Sequence, residues 1–382
     1  MCHTAYPKLN DFGQRLRANG YQIPGQSGLE NTVFETSIPL ALRTTVGHTV
    51  STNKNGTTAG FGLYGLDLLA AGVLHKNISF MFIYTPRIDE PAADFHGPDN
   101  GSNPAQTAAI ESASLIFSNL AGEKLNLRIG RFEPAYHLFS SKRPYYIMQT
   151  YEIYAFAPGN NPFAFADNQI GIEASGRFKP GLNYSLGFIN GSGAAPDNNI
   201  GKDFYATLSK TFGKGEGQSA GQRLGVFGYF GSQPTNFTGT VVAPTGETNG
   251  KDSRAFYRFG GNLSLNWKMV NLQAMIMKGS DNKVFNSFAP LQDYSFWGGF
   301  VQLDLAALAN NRLVASLLYN WVQPPDYDRL NRMTGYGALL RYYLGSWSAV
   351  NIALHAEYSH RSLGADHPRK DDVFTLLLDF DF

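Results

Sequence analysis

The residues whose chemistry stands out lie at the start of the chain, where Cys2, its only cysteine, is followed directly by His3. In the C-x-x-C-H motif, two thiols bond covalently to a porphyrin and the histidine that follows binds the haem iron. The sequence "MCH" matches the last three positions of that motif, and its first cysteine would stand two residues before Met1. The alternatives are a free buried thiol and an acylated lipoprotein cysteine, which is disfavoured because such a cysteine would be residue 1 after processing. The choice depends on what the rest of the chain builds.

The composition of the chain is that of a β-protein. Charged residues make up 16% and aromatic residues 14%, and there are 41 glycines, a bias toward strands, tight turns and amphipathic rings. The net charge is +1 with the basic residues scattered, so nucleic acid is not an expected partner. No run of about 18 or more apolar residues and no leader-like start is present, so we expect neither a spanning helix nor a signal peptide in these residues.

From about residue 34 to the end, apolar residues alternate with polar or small ones, as in strands that have two different faces. In "VFTLLLDFDF", for example, Phe374, Leu376 and Leu378 oppose Thr375 and Asp379. The alternation predicts about sixteen strands, near residues 34 to 48, 60 to 75, 77 to 85, 107 to 119, 124 to 133, 168 to 178, 182 to 190, 203 to 212, 222 to 231, 254 to 267, 269 to 279, 293 to 306, 311 to 322, 333 to 345, 350 to 361 and 371 to 382.

Short and long connections alternate between these strands, which is typical of an outer-membrane barrel with periplasmic turns and surface loops. In lipid every backbone polar group must be paired within the protein, so strands survive there only as a closed barrel. We therefore expect an all-β fold, a transmembrane antiparallel β-barrel in the outer membrane of a Gram-negative bacterium. A soluble sandwich or propeller is disfavoured, because its buried face should not carry unpaired charges such as Arg258, Arg341, Glu357 and Asp379.

The two faces of the predicted barrel have different expected environments. Tyr257, Leu263, Leu354 and Leu378 are predicted to belong to the lipid-facing belt. Aromatic residues at strand ends are expected at the two membrane interfaces, namely Trp267, Trp321, Tyr336, Trp347 and Phe382. The charged residues predicted to face the lumen carry both signs and so show no clear ion preference: Arg128, Arg258, Arg341, Arg361, Asp304, Glu357, Asp379 and Asp381.

Residues 1 to 33 precede the barrel, which we expect to span residues 34 to 382. An even strand number places both barrel ends on the periplasmic side, so this segment can fold into the lumen. Within it "LNDFGQRLRANG" predicts a short helix with Asn10 or Asp11 as N-cap, and Gly20 as its end. Leu9, Phe12 and Leu16 would form its apolar stripe. The expected architecture is a barrel of about sixteen strands with a short N-terminal helical plug.

A wider pattern surrounds the cysteine, C-H-x-x-x-P-x-L-x-x-F-G followed by a basic residue and G-Y. It is carried by Cys2, His3, Pro7, Leu9, Phe12, Gly13, Arg17, Gly20 and Tyr21. This pattern resembles the N-terminal segment of the fused monohaem cytochrome-porins, in which a small c-type cytochrome region precedes an outer-membrane barrel. The resemblance covers about 20 residues, and the rest of the chain resembles the family in architecture alone. It implies a cytochrome-like plug, with haem c held by Cys2 and by His3 as proximal iron ligand, and electron passage across the outer membrane.

Two functions from different classes follow. The first is a cytochrome-porin that passes electrons between the cell surface and the periplasm, as in Fe(II) oxidases or extracellular electron transfer. Because one haem cannot bridge a hydrocarbon core about 30 Å thick, periplasmic or extracellular cytochromes would be partners beside the outer-membrane lipid. His355, Met275 and Met277 face the lumen by parity and are candidate distal ligands, although such residues more often just line a lumen.

The alternative is a passive or substrate-selective diffusion porin with an N-terminal plug and no cofactor. It is favoured by the long segment from 134 to 167, which the strand count places at the outer end of the barrel and which is rich in aromatic residues: Tyr145, Tyr146, Tyr151, Tyr154 and Phe156. Such a segment could fold inward as a constriction or stay on the surface as a loop. No catalytic residues are identified, and the sequence leaves the oligomeric state open.

Overall fold

The structure is a computed structural model of the 382-residue chain. It describes residues 3–5, 8–9, 13, 16–17, 19–22, 40–86, 109–136, 139–140, 145–149, 151–178, 180–193, 197, 200–213, 222–234, 253–289, 291–308, 311–347, 350–366 and 368–381. Side chains of residues 3–5, 8–9, 109, 346–347 and 381 lie outside this description.

Sixteen long strands form one sheet, and each hydrogen-bonds to its neighbours in antiparallel fashion. They are β1 Leu40–Asn53, β2 Gly56–His75, β3 Ile78–Thr85, β4 Ala109–Phe117, β5 Asn126–Phe132, β6 Gln169–Phe178, β7 Leu182–Ile189, β8 Asp203–Phe212, β9 Gln222–Pro234, β10 Ser253–Trp267, β11 Val270–Asp281, β12 Tyr294–Ala307, β13 Leu313–Gln323, β14 Met333–Trp347, β15 Val350–Leu363 and β16 Arg369–Asp381.

The sheet closes on itself because β16 pairs with β1, with Asp379 opposite Thr45 and Val373 opposite Ser51. Closure leaves no unpaired strand edge, which is the condition for strands to survive in lipid. The predicted closed antiparallel barrel of about sixteen strands is therefore confirmed, and the soluble sandwich is wrong. Most predicted strands lie within a few residues of the observed ones; the first differs most, since it continues to Asn53 rather than ending at residue 48.

The remaining regular structure is short. Two small strands, His3–Ala5 and Lys8–Leu9, pair with each other, and a third, Leu120–Glu123, precedes β5. A four-residue helix, α1, spans Glu152–Ala155, and 3-10 helices span Lys283–Phe285 and Asp326–Asn331. No helix in the described part of the chain is long and apolar enough to cross a membrane.

Side chains alternate between an apolar outer face and a mostly polar inner face. Of the predicted lipid-facing residues, Tyr257 is 40% and Leu354 43% exposed, while Leu263 and Leu378 are half-buried on the same outer face. Trp267 and Tyr336 are exposed near opposite ends of the barrel, as expected for interfacial aromatics. The Trp347 side chain and Phe382 lie outside the described residues.

The connections define the orientation of the barrel. The start of β1 and the end of β16 lie at one end, together with short connections such as Lys76–Asn77 and 268–269. The connections at the other end are mostly longer, although β1 and β2 are joined there by a two-residue turn, Lys54–Asn55. The end with the short connections is therefore the periplasmic end.

The end of the predicted N-terminal helix is observed at Gly20. Gly13, Leu16 and Arg17 are helical. The backbone N–H groups of Gly20 and Tyr21 donate to the carbonyls of Arg17 and Leu16, and Gly20 has φ +66°. This is the hydrogen-bond pattern of a glycine C-terminal stop. The predicted caps Asn10 and Asp11, Leu9's side chain, Phe12 and the boundary at 33 and 34 lie outside the described residues, so a continuous helical plug is not shown.

Candidate functional site

The chain between β5 and β6, from Glu133 to Asn168, folds into the barrel rather than over its rim. Its described aromatic and apolar side chains are buried against inward-facing strand residues: Tyr136, Phe139, Tyr145, Tyr146, Tyr151, Ile153, Tyr154, Phe163 and Phe165. Of the two interpretations of this segment, the inward fold is the observed one and the surface loop is wrong. We call residues 133 to 168 the inward segment.

Glu357 on β15 is the main polar anchor of the inward segment. Its carboxylate accepts hydrogen bonds from the backbone N–H groups of Ile147 at 2.8 Å, Met148 at 3.1 Å and Gln149 at 2.9 Å. Nε2 of His355 lies 2.9 Å from the same carboxylate. Charge-assisted hydrogen bonds to backbone amides are stronger than neutral ones, so this one carboxylate fixes the chain where the segment crosses the lumen.

The beginning of the inward segment is held by Glu173 on β6. The backbone N–H of Ala135 donates to the Glu173 carboxylate at 3.0 Å, and Thr207 Oγ1 donates to the Ala135 carbonyl at 2.6 Å. The Tyr205 hydroxyl also donates to Glu173, and the Arg128 guanidinium lies 3.3 Å from it. Oε2 of Glu173 thus accepts two hydrogen bonds and Oε1 lies beside the Arg128 guanidinium, which offsets part of the penalty for burying the carboxylate.

Aromatic stacking fills the space between the inward segment and the barrel wall. The Tyr151 ring stacks on Phe300 of β12 with centroids 3.9 Å apart, and its hydroxyl donates to Gln302 Oε1 at 2.7 Å. Tyr136 stacks on Phe165 at 4.4 Å. Such ring pairs add to the free energy gained from the buried area itself. The side chains of the segment therefore form part of a hydrophobic core inside the barrel.

Several described charged groups of the lumen are paired with one another or with the inward segment. Arg258 pairs with Asp281, which also accepts a hydrogen bond from Asn161 of the segment at 2.8 Å. The carboxylate of Asp379 pairs with both Arg341 and Arg43. The predicted mixed lumen is therefore present, and these charges compensate locally.

Glu152 of α1 is a buried carboxyl of the segment itself. Burial raises the pKa of Glu152, and the Arg361 guanidinium, with Nε 3.4 Å from its Oε1, opposes that shift. Its environment differs from that of Glu357, because no hydrogen bond from a described backbone amide to Glu152 is present. Neutral Glu152 is thus easier to bury than the ionised form.

A small open cleft of about 30 Å³ remains beside β3, β4 and β5. Arg17 and Tyr21 of the N-terminal segment line it together with wall residues Met81, Arg128 and Glu133. The Tyr21 hydroxyl donates to Met81 Sδ at 2.9 Å, and Arg17 lies 3.7 Å from the Glu133 carboxylate. The described residues Arg17, Gly20 and Tyr21 therefore lie against the inner wall of the barrel.

The predicted haem residues are in part outside the description. Cys2 and the His3 side chain are not among the described groups. His355, Met275 and Met277 do face inward, but all three are buried, His355 lies against Glu357, and both methionines belong to the aromatic core. Their role as distal haem ligands stays a prediction. Within the described residues, no histidine, cysteine and acidic side chains are grouped to hold a metal ion.

Sequence reasoning missed several residues that build this site. Glu173, Asp281 and Tyr205 were not singled out, although each occupies an inward position in an alternating strand. The parity that identified Glu357 and Asp379 would also have identified the two carboxylates. Their pairing with the inward segment, however, has no local sequence signal.

No protein-family model matches the sequence, and a search of curated proteins finds no match. Solved structures do resemble it. OprB of Pseudomonas putida has 15% identity and a TM-score of 0.54, covering 92% of this chain and 95% of its own. The outer membrane channel DcaP of Acinetobacter baumannii has 10% identity and a TM-score of 0.57, covering 90% and 97%. An anion-selective porin from Comamonas acidovorans has 12% identity and a TM-score of 0.53, covering 90% and 99%.

These likenesses concern the fold. The chain has a sixteen-stranded barrel like those of outer-membrane porins, and its apolar outer face meets lipid. The closed barrel and its apolar outer face are the features expected of a protein in the outer membrane of a Gram-negative bacterium.

Proposed function

We propose that the chain is a diffusion channel of the outer membrane, in which the inward segment narrows a water-filled passage. The observation that carries this proposal is the anchoring of residues 147 to 149 on Glu357 at the inner wall of a closed barrel. A barrel of this strand number is wide enough for an aqueous lumen. A segment fixed across it reduces the opening without closing the barrel.

The passage lies along the cleft between the N-terminal residues and the wall of β3 to β5. Ser112, Ser114 and Asn168 contribute polar groups beside the charged pair Arg17 and Glu133, in a lining that also includes Ile83, Ile116 and Phe132. Because Arg258 pairs with Asp281, and Arg341 and Arg43 pair with Asp379, we propose small polar solutes of either charge sign as its cargo, with weak ion selectivity. In this account the N-terminal segment is a partial plug.

Liposome swelling tests the channel directly. Purified protein reconstituted into liposomes should admit small neutral sugars and reject larger oligosaccharides, with a size cut-off that empty liposomes do not show. A shift in electrophoretic mobility on heating shows that the protein is folded. If folded protein leaves the liposomes as impermeable to sugars as empty liposomes, the proposal is contradicted.

The haem and electron-transfer function remains a prediction that rests on residues 2 to 21 of the sequence. Cys2 and His3 are the residues that would hold the haem, which would supply one-electron chemistry at its iron. Absorption in the Soret region by protein purified from membranes, lost or shifted in His3→Ala, is the expected result. A colourless native protein refutes this function and leaves the diffusion channel with an N-terminal plug.

A further inference from the structure

Five basic side chains lie around the periplasmic end of the barrel. Lys76, Lys124, Lys268 and Arg312 are exposed in or beside the short connections. Lys210 is half-buried near the end of β8, on the outer face between Leu182 and Leu224. We call these five residues the basic ring. They are spread from the β2–β3 connection to the β12–β13 connection, so they surround most of the barrel.

The basic ring is not neutralised by carboxylates. None of its five side chains forms an ion pair with a described acidic residue, and Glu123 is the one acidic side chain described in these connections. At the opposite end the described charges are mixed: Lys202 pairs with Asp197 at 2.8 Å and Arg329 with Asp366 at 3.4 Å, while Lys278 and Lys283 are exposed without an ion pair to a described acidic residue. Among the described residues, the periplasmic connections therefore carry an excess of positive charge.

The basic ring adjoins the lipid-facing belt. Lys268 Nζ lies 5.4 Å from the centroid of the Trp267 ring, which is 69% exposed on the outer face. The Arg312 guanidinium lies 5.4 Å from the centroid of Tyr342, also on the outer face. Aromatic rings prefer the boundary between hydrocarbon and headgroups, and long basic side chains reach from apolar surface to that boundary.

We propose that the basic ring binds the phosphate groups of anionic phospholipids in the periplasmic leaflet around the barrel. Anionic lipid surfaces attract basic side chains placed near them, and here the positive charges lie at headgroup level. A protein partner would contact one side of the barrel, whereas these five residues face different sides. This proposal is independent of what passes through the lumen.

Quenching of Trp267 fluorescence by brominated lipids tests the proposal. Phe first replaces the other three tryptophans, Trp297, Trp321 and Trp347, so that all tryptophan fluorescence comes from Trp267. The protein is then reconstituted with either brominated phosphatidylglycerol or brominated phosphatidylcholine. Phosphatidylglycerol should bind severalfold more tightly beside Trp267, on the scale of roughly fivefold per basic residue near the lipid surface. Replacing all five basic residues by Gln should bring the ratio of binding constants close to one.

Lys278→Gln is the matched control, because Lys278 is an exposed outer-face lysine near the opposite end. It should leave the ratio unchanged. A ratio of one in the parent protein, or a preference that survives all five substitutions, overturns the proposal. If the parent shows no lipid preference but sediments with peptidoglycan through these residues, the basic ring is a cell-wall contact and the lipid proposal is wrong. Electrophoretic mobility before and after heating confirms that each variant is folded.

Discussion

The carboxylate of Glu357 lies 2.8 Å from the backbone nitrogen of Ile147, although 210 residues separate them along the chain. Met148 and Gln149 donate to the same carboxylate, so one acidic side chain of the barrel wall holds three consecutive amides of the inward segment. Gln149 is buried and Ile147 and Met148 are half-buried, so removing the carboxylate would take the hydrogen-bond partner from amides that have restricted access to water. These hydrogen bonds hold the inward segment to the barrel wall at residues 147 to 149.

Glu357→Gln should loosen the inward segment around residues 147 to 149. The amide retains one oxygen acceptor but loses the charge, and each hydrogen bond to a charged group is worth about 1.5–3 kcal/mol. Hydrogen exchange of the three amides should accelerate by at least tenfold, while that of the β-strand amides stays slow. Asp366→Asn, at an exposed turn carboxylate, is the matched control. Unchanged protection in Glu357→Gln would mean that packing alone fixes this part of the segment.

Glu152→Gln, unlike Glu357→Gln, should not accelerate hydrogen exchange in the inward segment. Burial raises the pKa of Glu152, so its folded-state pKa lies above the unfolded one and the folded state favours the protonated form. Its contribution to stability is therefore present at low pH and is lost as pH rises through the folded pKa. At neutral pH, Gln removes the cost of the ionised group and keeps an oxygen for Arg361, so α1 should be at least as protected from exchange as in the parent. Faster exchange of α1 in Glu152→Gln would show that the ion pair outweighs the desolvation.

Tyr151→Phe should separate stacking from hydrogen bonding. The ring stacked on Phe300 is kept, but Gln302 Oε1 loses its donor, which costs about 1–3 kcal/mol for a buried group. Tyr151→Ala removes the ring as well and should cost about 3–5 kcal/mol. The measurement is the free energy of local opening from exchange of the Ala166 amide, which donates to the Tyr154 carbonyl. If both substitutions lower the free energy of local opening equally, the hydroxyl alone accounts for the stabilisation by Tyr151 and the ring stacking contributes nothing.

Leu354→Arg should destabilise the barrel in the membrane. Leu354 is outward-facing near the middle of β15, where an arginine costs about 2–4 kcal/mol, and Leu263→Arg should act similarly if it lies near the midplane. Trp267→Arg, at the end of β10, should cost about 0–1 kcal/mol. Urea unfolding in lipid vesicles measures all three. Equal costs at Leu354 and Trp267 would contradict the assigned position of the belt.

Much of the barrel could be predicted from the sequence because strand alternation is a local signal. Alternation alone assigns Phe374 and Leu376 to the outer face and Thr375 and Asp379 to the inner face. Closure of the barrel follows from the requirement that backbone groups be paired in lipid. The end of the first strand was predicted less well, because it was placed at residue 48 although the strand continues to Asn53 and turns at Lys54–Asn55.

The candidate site was harder to predict because it depends on contacts between residues far apart in the chain. Aromatic residues indicated that residues 134 to 167 were unusual for a loop, yet the same residues fitted a surface position. The pairing of Ile147 with Glu357, or of Ala135 with Glu173, has no local pattern, since any buried carboxylate could accept those amides. The prediction at Cys2 and His3 comes from a short motif whose cysteine and imidazole lie outside the described residues.

Single-channel conductance in planar bilayers tests the central claim, that the inward segment narrows the passage, most directly. The protein is compared with a variant in which residues 137 to 165 are replaced by a short Gly-Ser linker, so that the sixteen strands and their pairing are retained. Removal of the segment should raise the conductance severalfold and admit larger sugars in the swelling assay. A folded variant with the conductance and size cut-off of the parent protein would contradict the account.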